Sequence, residues 1–180
     1  WLHDNQGDWS PFVSGDLAPL SGRVAGWDLP DHDVAVVDTA TLAVSYQKAL
    51  LTTVMALGVN PATGQVSAVG TEARNEIRWE PNLNGRFLRV NVATFTPGGP
   101  TAITDLNPHL NYTTPTAPPA VRTQSLGDPR GVAWRADGQS ALVTGMGSNS
   151  VAVIGAAGER LAHFPVGEGP TGVVVHEAGG

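Results

Sequence analysis

Between Trp27 and Asp33 the chain reads Trp-Asp-Leu-Pro-Asp-His-Asp. Asp28, Asp31, His32 and Asp33 place three carboxylates and an imidazole within six residues. Such a set could hold Ca²⁺ through oxygen, or a transition metal through His32. The plainer reading is a solvated turn in which the aspartates accept hydrogen bonds from nearby backbone amides. The stretch from His3 to Asp8, His-Asp-Asn-Gln-Gly-Asp, has the composition of a calcium loop but lacks the alternate-position ligands and the distant glutamate, so it reads as a turn. His3, His32, His109, His163 and His176 show neither H-x-x-x-H nor H-E-x-x-H spacing, although folding could still bring distant histidines together. No nucleophile elbow, Walker loop or dinucleotide fingerprint is present. With no cysteine, these residues can form neither a disulfide nor a thiolate centre, and they hold no C-x-x-C-H haem attachment.

The charged run Glu72, Arg74, Glu76, Arg78 and Glu80 alternates with Ala73, Asn75, Ile77 and Trp79. This is the periodicity of a strand with one charged face. It fits cross-strand charge pairing, or a polar channel lining or docking surface.

The elements that would position such residues are strands. Glycine (22) and proline (14) are abundant and charged residues make up only 14%, a composition suited to a turn-rich β protein. The length admits one ordinary domain or part of a larger one. The formal charge is −6; seven aspartates precede Lys48 with Arg23 as their only basic company, which argues against nucleic acid as a partner. No apolar run reaches the roughly 18 residues of a membrane span. The chain opens on Trp1 without a basic, then apolar, leader, as expected of a mature or excised N-terminus.

A repeat organises the chain. The shift that carries Gly64 onto Gly138 also carries Gln65 onto Gln139, Val69 onto Val143, Asn75 onto Asn149 and Ile77 onto Val151. A second, shorter shift carries Pro129 onto Pro170, Gly131 onto Gly172 and Gly138 onto Gly179. Gly64 and Gly138 then stand at a hairpin turn, and Asn75 and Asn149 at a loop fixed by a side-chain hydrogen bond. The middle unit is expected to hold strands near 55–59, 66–70, 76–80 and 86–92, with Asn84-Gly85 turning the last pair. The next unit has them near 131–135, 140–144, 150–154 and 160–164. Units are about 40 residues apart, except where a Pro/Thr-rich stretch, 96–126, reads as an inserted loop.

Four antiparallel strands at that period are the signature of a β-propeller blade, and four to eight blades usually close a ring. The expected architecture is all-β, about three and a quarter blades of a larger, seven-bladed ring. The single partial domain would run as an irregular segment (1–31), the end of one blade (32–50), a blade (51–95), the inserted loop (96–126), a blade (127–166) and the first strand of the next (167–180). Ring closure joins the first and last blades, so edges left open should be covered by other blades of a longer chain or by a protein partner.

The run Pro129-Arg130-Gly131-Val132-Ala133-Trp134 through Asp137-Gly138 to Asn149-Ser150-Val151-Ala152-Val153-Ile154 resembles the YVTN-type propeller repeat. Leu142-Val143-Thr144-Gly145 and Val69-Gly70-Thr71 stand where the name-giving tetrapeptide would be, and Val34-Ala35-Val36-Val37-Asp38 is similar to the end of a unit. The resemblance covers about 32–95 and 127–180. It implies an exported bacterial protein, periplasmic or at the cell surface, and in some members c-type haem motifs further along the chain. Two functions follow from it: a non-catalytic binding or scaffolding segment whose 96–126 loop touches a partner protein, or the propeller of a haem- or cofactor-dependent redox enzyme whose catalytic residues lie outside this segment. A third reading is a metal-stabilised surface or adhesive repeat resting on Asp28, Asp31 and Asp33.

Overall fold

The computed structural model describes residues 32–74, 88–114 and 116–177, together with the backbone of 2–3, 8–10 and 29–30. The chain divides into two compact units, Trp1–Ala49 and Leu50–Gly180. In the first, β1 (Leu2–His3), β2 (Asp8–Ser10) and β3 (Leu29–Pro30) form a small antiparallel sheet, and β4 (Val34–Val37) pairs with β5 (Val44–Gln47) as a hairpin. Asp38 makes that hairpin's turn. Its Oδ1 accepts the N–H groups of Ala40 and Thr41 at 2.9 and 2.8 Å, and these bonds, Thr41's first, hold the carboxyl below its usual value.

The second unit consists of two four-stranded antiparallel sheets, each in simple sequential order. One contains β6 (Thr53–Val59), β7 (Val66–Ala73), β8 (Leu88–Phe95) and β9 (Thr101–Asp105). The other contains β10 (Pro129–Trp134), β11 (Ser140–Gly145), β12 (Ser150–Gly155) and β13 (Arg160–Pro165). Four meandering strands with the first of one sheet packed on the first of the next make these propeller blades.

Alternation explains which residues meet between the blades. Ala56 pairs with Val69 and Val69 with Val92, so one side of each residue pair faces the second blade. There Val69, Val90 and Val92 join Val143, Ala152 and Ile154 in a single core, with Trp134 and Leu126 closing it. Gly58 sits where β6 passes β10: a Cβ there would lie 3.0 Å from Val132 Cγ1. A larger residue would push the first strands apart.

The turns follow from their residues. Asn60 starts the β6–β7 turn by accepting the N–H of Ala62 at 3.0 Å, and Gly64 completes it at φ +73°. Gly138, at φ +67°, does the same between β10 and β11. That left-handed conformation carries no penalty for glycine.

Two expectations from sequence are corrected. The 86–92 run is not a fourth strand. Leu88–Phe95 is the third, pairing with β7 at eight positions from Val66–Phe95 to Ala73–Leu88. Its apolar alternation satisfies a whole ladder against β7 and buries Val90 and Val92 in the core. The expected third strand, 76–80, and the Asn84-Gly85 turn lie outside the described residues, as does Asn75. The fourth strand is Thr101–Asp105, inside the stretch expected to be a loop. Pro97-Gly98 opens a tight turn rather than a long excursion, with Gly98 at φ +75° and Gly99 N–H donating to the Thr96 carbonyl at 2.7 Å. The middle blade thus extends to Asp105, and the excursion that remains runs from Leu106 to Asp128.

The expected closing strand also differs. Residues 167–177 make no strand, because no neighbouring strand pairs with them among the described residues. They nonetheless lie against β10: the space where a Gly131 Cβ would stand is 3.3 Å from Gly172 Cα. Gly131 and Gly172 are the very positions that the sequence repeat equates.

Candidate functional site

The excursion after β9 is fastened at its base by one residue. Asn107, 3% exposed, donates from Nδ2 to the Leu126 carbonyl at 2.9 Å and accepts the Leu126 N–H on Oδ1 at 2.7 Å. An asparagine amide presents a donor and an acceptor side by side, so it stands in for one rung of a β-ladder. Arg160, at the start of β13, adds a second fastening. Its Nη1 donates to the Leu106 carbonyl at 2.9 Å and to Asn107 Oδ1 at 3.2 Å, and its Nη2 to the Gln124 carbonyl at 2.6 Å. His109 Nε2 lies 3.2 Å from Ser125 Oγ and joins the two limbs a third time.

Between these fastenings the crest is exposed, including Thr113, Thr114, Thr116, Pro118 and Arg122. Asn111 Oδ1 bonds the Thr113 N–H and hydroxyl, and the helix α1 (Pro119–Arg122) begins on a proline, whose fixed φ suits a first turn. Near the base Arg89 of β8 stacks its guanidinium over the Tyr112 ring, 4.0 Å from the centroid.

Beside the base a cleft of about 430 Å³ is lined by Pro108, His109, Gln124, Arg160, Leu161 and His163, among others. Burial first, then the Arg160 charge, hold the His109 imidazole below its ordinary range, against a backbone hydrogen bond at Val121 and the Asp105 charge. His163 is lowered by burial, then by Arg160 and by His109. Its buried Nε2 has no hydrogen-bond partner among the described residues. A second cleft, about 520 Å³, lies between α1 and the 3₁₀ turn Met146–Ser148, with Arg122 at its edge.

The residues singled out in the sequence are dispersed. Asp28 and Asp31 lie outside the described residues. His32 stacks on Tyr46 at 3.7 Å between centroids, and Asp33 N–H donates to the Gln47 carbonyl. Among the described residues no group of three or more His, Asp or Glu is placed to hold a metal ion. Glu72 accepts the Thr52 N–H at 2.9 Å, Arg74 is exposed, and Glu76, Arg78 and Glu80 are outside the described residues. Gly64 and Gly138 occupy their turns, and Asn149, itself left-handed at φ 51°, accepts the Gly169 N–H at 2.9 Å. His109 and His163 carried no motif, and only the placement of β9 and β13 brings them to one cleft.

No protein-family model and no curated protein matches the sequence. Among solved structures the chain is similar to Kuenenia stuttgartiensis hydrazine synthase, with 16% sequence identity and a TM-score of 0.55 over 77% of this chain and 44% of that one. The chain therefore spans less than half the length of this neighbour, and the likeness is one of fold.

Proposed function

We propose that the chain is a non-catalytic protein-binding or scaffolding segment of an exported bacterial β-propeller protein with YVTN-like repeats. The observation that carries this reading is the excursion after β9: a crest of exposed residues on a base clamped by Asn107, Arg160 and His109 to two packed blades. A loop pre-ordered in this way presents contact area with little further loss of entropy on binding. Other blades are the second class of partner. Leu161 and Phe164 on β13 are 57% and 42% exposed, and the 171–172 segment already packs beside β10 at repeat-equivalent positions. No helix among the described residues is long and apolar enough to cross a membrane.

The test is photo-crosslinking in the source organism from Thr114 and Thr116, with Ala157, exposed on the β12–β13 turn, as control. The expected result is one reproducible protein adduct from the crest positions that the control lacks. Equal adducts from all three would discard the reading.

A second reading has a specific observation behind it, the likeness of fold to a protein that is named as a synthase. In it the chain is the propeller of a haem- or cofactor-dependent periplasmic enzyme whose reacting groups lie elsewhere. A C-x-x-C-H motif in the flanking gene sequence would favour it, and its absence there would remove the haem version. A Ca²⁺ site on the carboxylates Asp28, Asp31 and Asp33 is tested by calcium titration; an unchanged melting temperature eliminates it.

A further inference from the structure

The cleft at the loop base has an uneven chemistry. Arg160, His109, His163 and Gln124 supply its polar lining, Pro108 and Leu161 are among its apolar members, and no carboxylate lines it in a chain of formal charge −6. Asp105 is the carboxylate whose charge reaches the cluster, and it stands outside the lining. Arg160 has not exhausted its donors. A guanidinium has five N–H groups, and the bonds to Leu106, Asn107 and Gln124 use two from Nη1 and one from Nη2. The Nε–H and one Nη2–H take no part in these bonds, and an unengaged guanidinium N–H is a strong donor to a carboxylate or phosphate oxygen.

We propose that this cleft is a binding site for a small oxyanion, held by the unengaged N–H groups of Arg160 with His109 and His163 beside it. The hydrogen-bond partners of Arg160 are carbonyl and amide oxygens, and the carboxylate whose charge acts on it, Asp105, stands outside the cleft lining. The two imidazoles beside Arg160 then add positive charge to the cleft when they take up protons. Each is kept neutral by burial and by Arg160. An anion cancels the second of these causes, so anion and protons must bind cooperatively. Occupancy should rise as pH falls towards 6. The site is distinct from the crest proposed to meet a protein partner.

The experiment follows the imidazole C–H resonances of the five histidines against pH in 20 mM phosphate, acetate or chloride at matched ionic strength. Phosphate, acetate or both should raise the midpoints of His109 and His163 by about half a unit relative to chloride, while exposed His32 and His176 stay put. A response to phosphate alone identifies a tetrahedral anion, and a response to both identifies a general oxyanion site. Leu161→Glu places a carboxylate at the rim without touching the loop clamp, and it should abolish the response. No shift in either salt, equal shifts at all histidines, or a response that survives Leu161→Glu would each overturn the proposal.

Discussion

Asn107 illustrates how much a single side chain can decide. Its amide satisfies both backbone groups of Leu126, which is 1% exposed, and offers an acceptor to Arg160. Asn107→Ala leaves those groups buried and unpaired, so it should cost roughly 2–4 kcal/mol of unfolding free energy, measurable by urea denaturation. Asn107→Asp keeps the acceptor but loses the donor, and should fall between the two. Nothing in the sequence marks out this asparagine, because its importance comes from a residue 19 positions away across a loop. Asn149, by contrast, was legible through the repeat, and the same repeat marked Gly138. The histidines at the cleft were visible only as types, without spacing.

At the level of elements, the turns and strands of the last blade could be read directly, since Asp137-Gly138 and the Val-x-Val alternation are local signals. In the middle blade the place of Leu88–Phe95 in the strand order depends on ladder register, a non-local property that no local signal carries. The β10–β11 turn does more than reverse the chain. Asn60 of the preceding blade donates from Nδ2 to the Gly138 carbonyl at 2.9 Å, and its Oδ1 occupies the space where a Cβ on Gly138 would project. Gly138→Ala therefore meets both a left-handed φ and a clash. It should lower stability by roughly 2 kcal/mol or more, and Asn60→Ala should lower it by roughly 1–3 kcal/mol through the lost buried bond. Calorimetry should show either change as a shift of the whole transition of the two blades, because their strands share one core.

For the molecule as a whole, acid is the informative variable. His109 and His163 titrate in the folded state below their ordinary value of 6.5, so above that value they are neutral folded or unfolded and contribute no pH dependence. Below it the unfolded chain takes up protons that the folded chain resists, and stability declines as pH falls from 6.5 through the folded values. Asp38 acts in a lower window: its depressed carboxyl stabilises above its ordinary value of 3.8, and the contribution disappears as pH falls through the folded value. Urea midpoints at pH 7.5 and 5.5 should differ in the native sequence, and His109→Gln with His163→Gln should narrow the gap. A gap that does not narrow would place the acid sensitivity elsewhere.

The Asn107–Leu126 exchange has a broader consequence for how this surface can change. Because the two limbs are tied to each other and to β13, the eighteen or so residues between them form a handle anchored at its base, by the Arg160–Gln124 bond and the Arg89–Tyr112 stack, with an exposed crest beyond. Lengthening such a handle costs only the logarithm of its size, about 0.6 kcal/mol per doubling. An insertion of several Gly-Ser residues after Thr116 should leave the melting temperature within a few degrees of the parent, whereas the same insertion after Gly138 should abolish folding of the last blade. Evolution, or an engineer, can therefore rewrite what the crest displays while the scaffold beneath it stays the same.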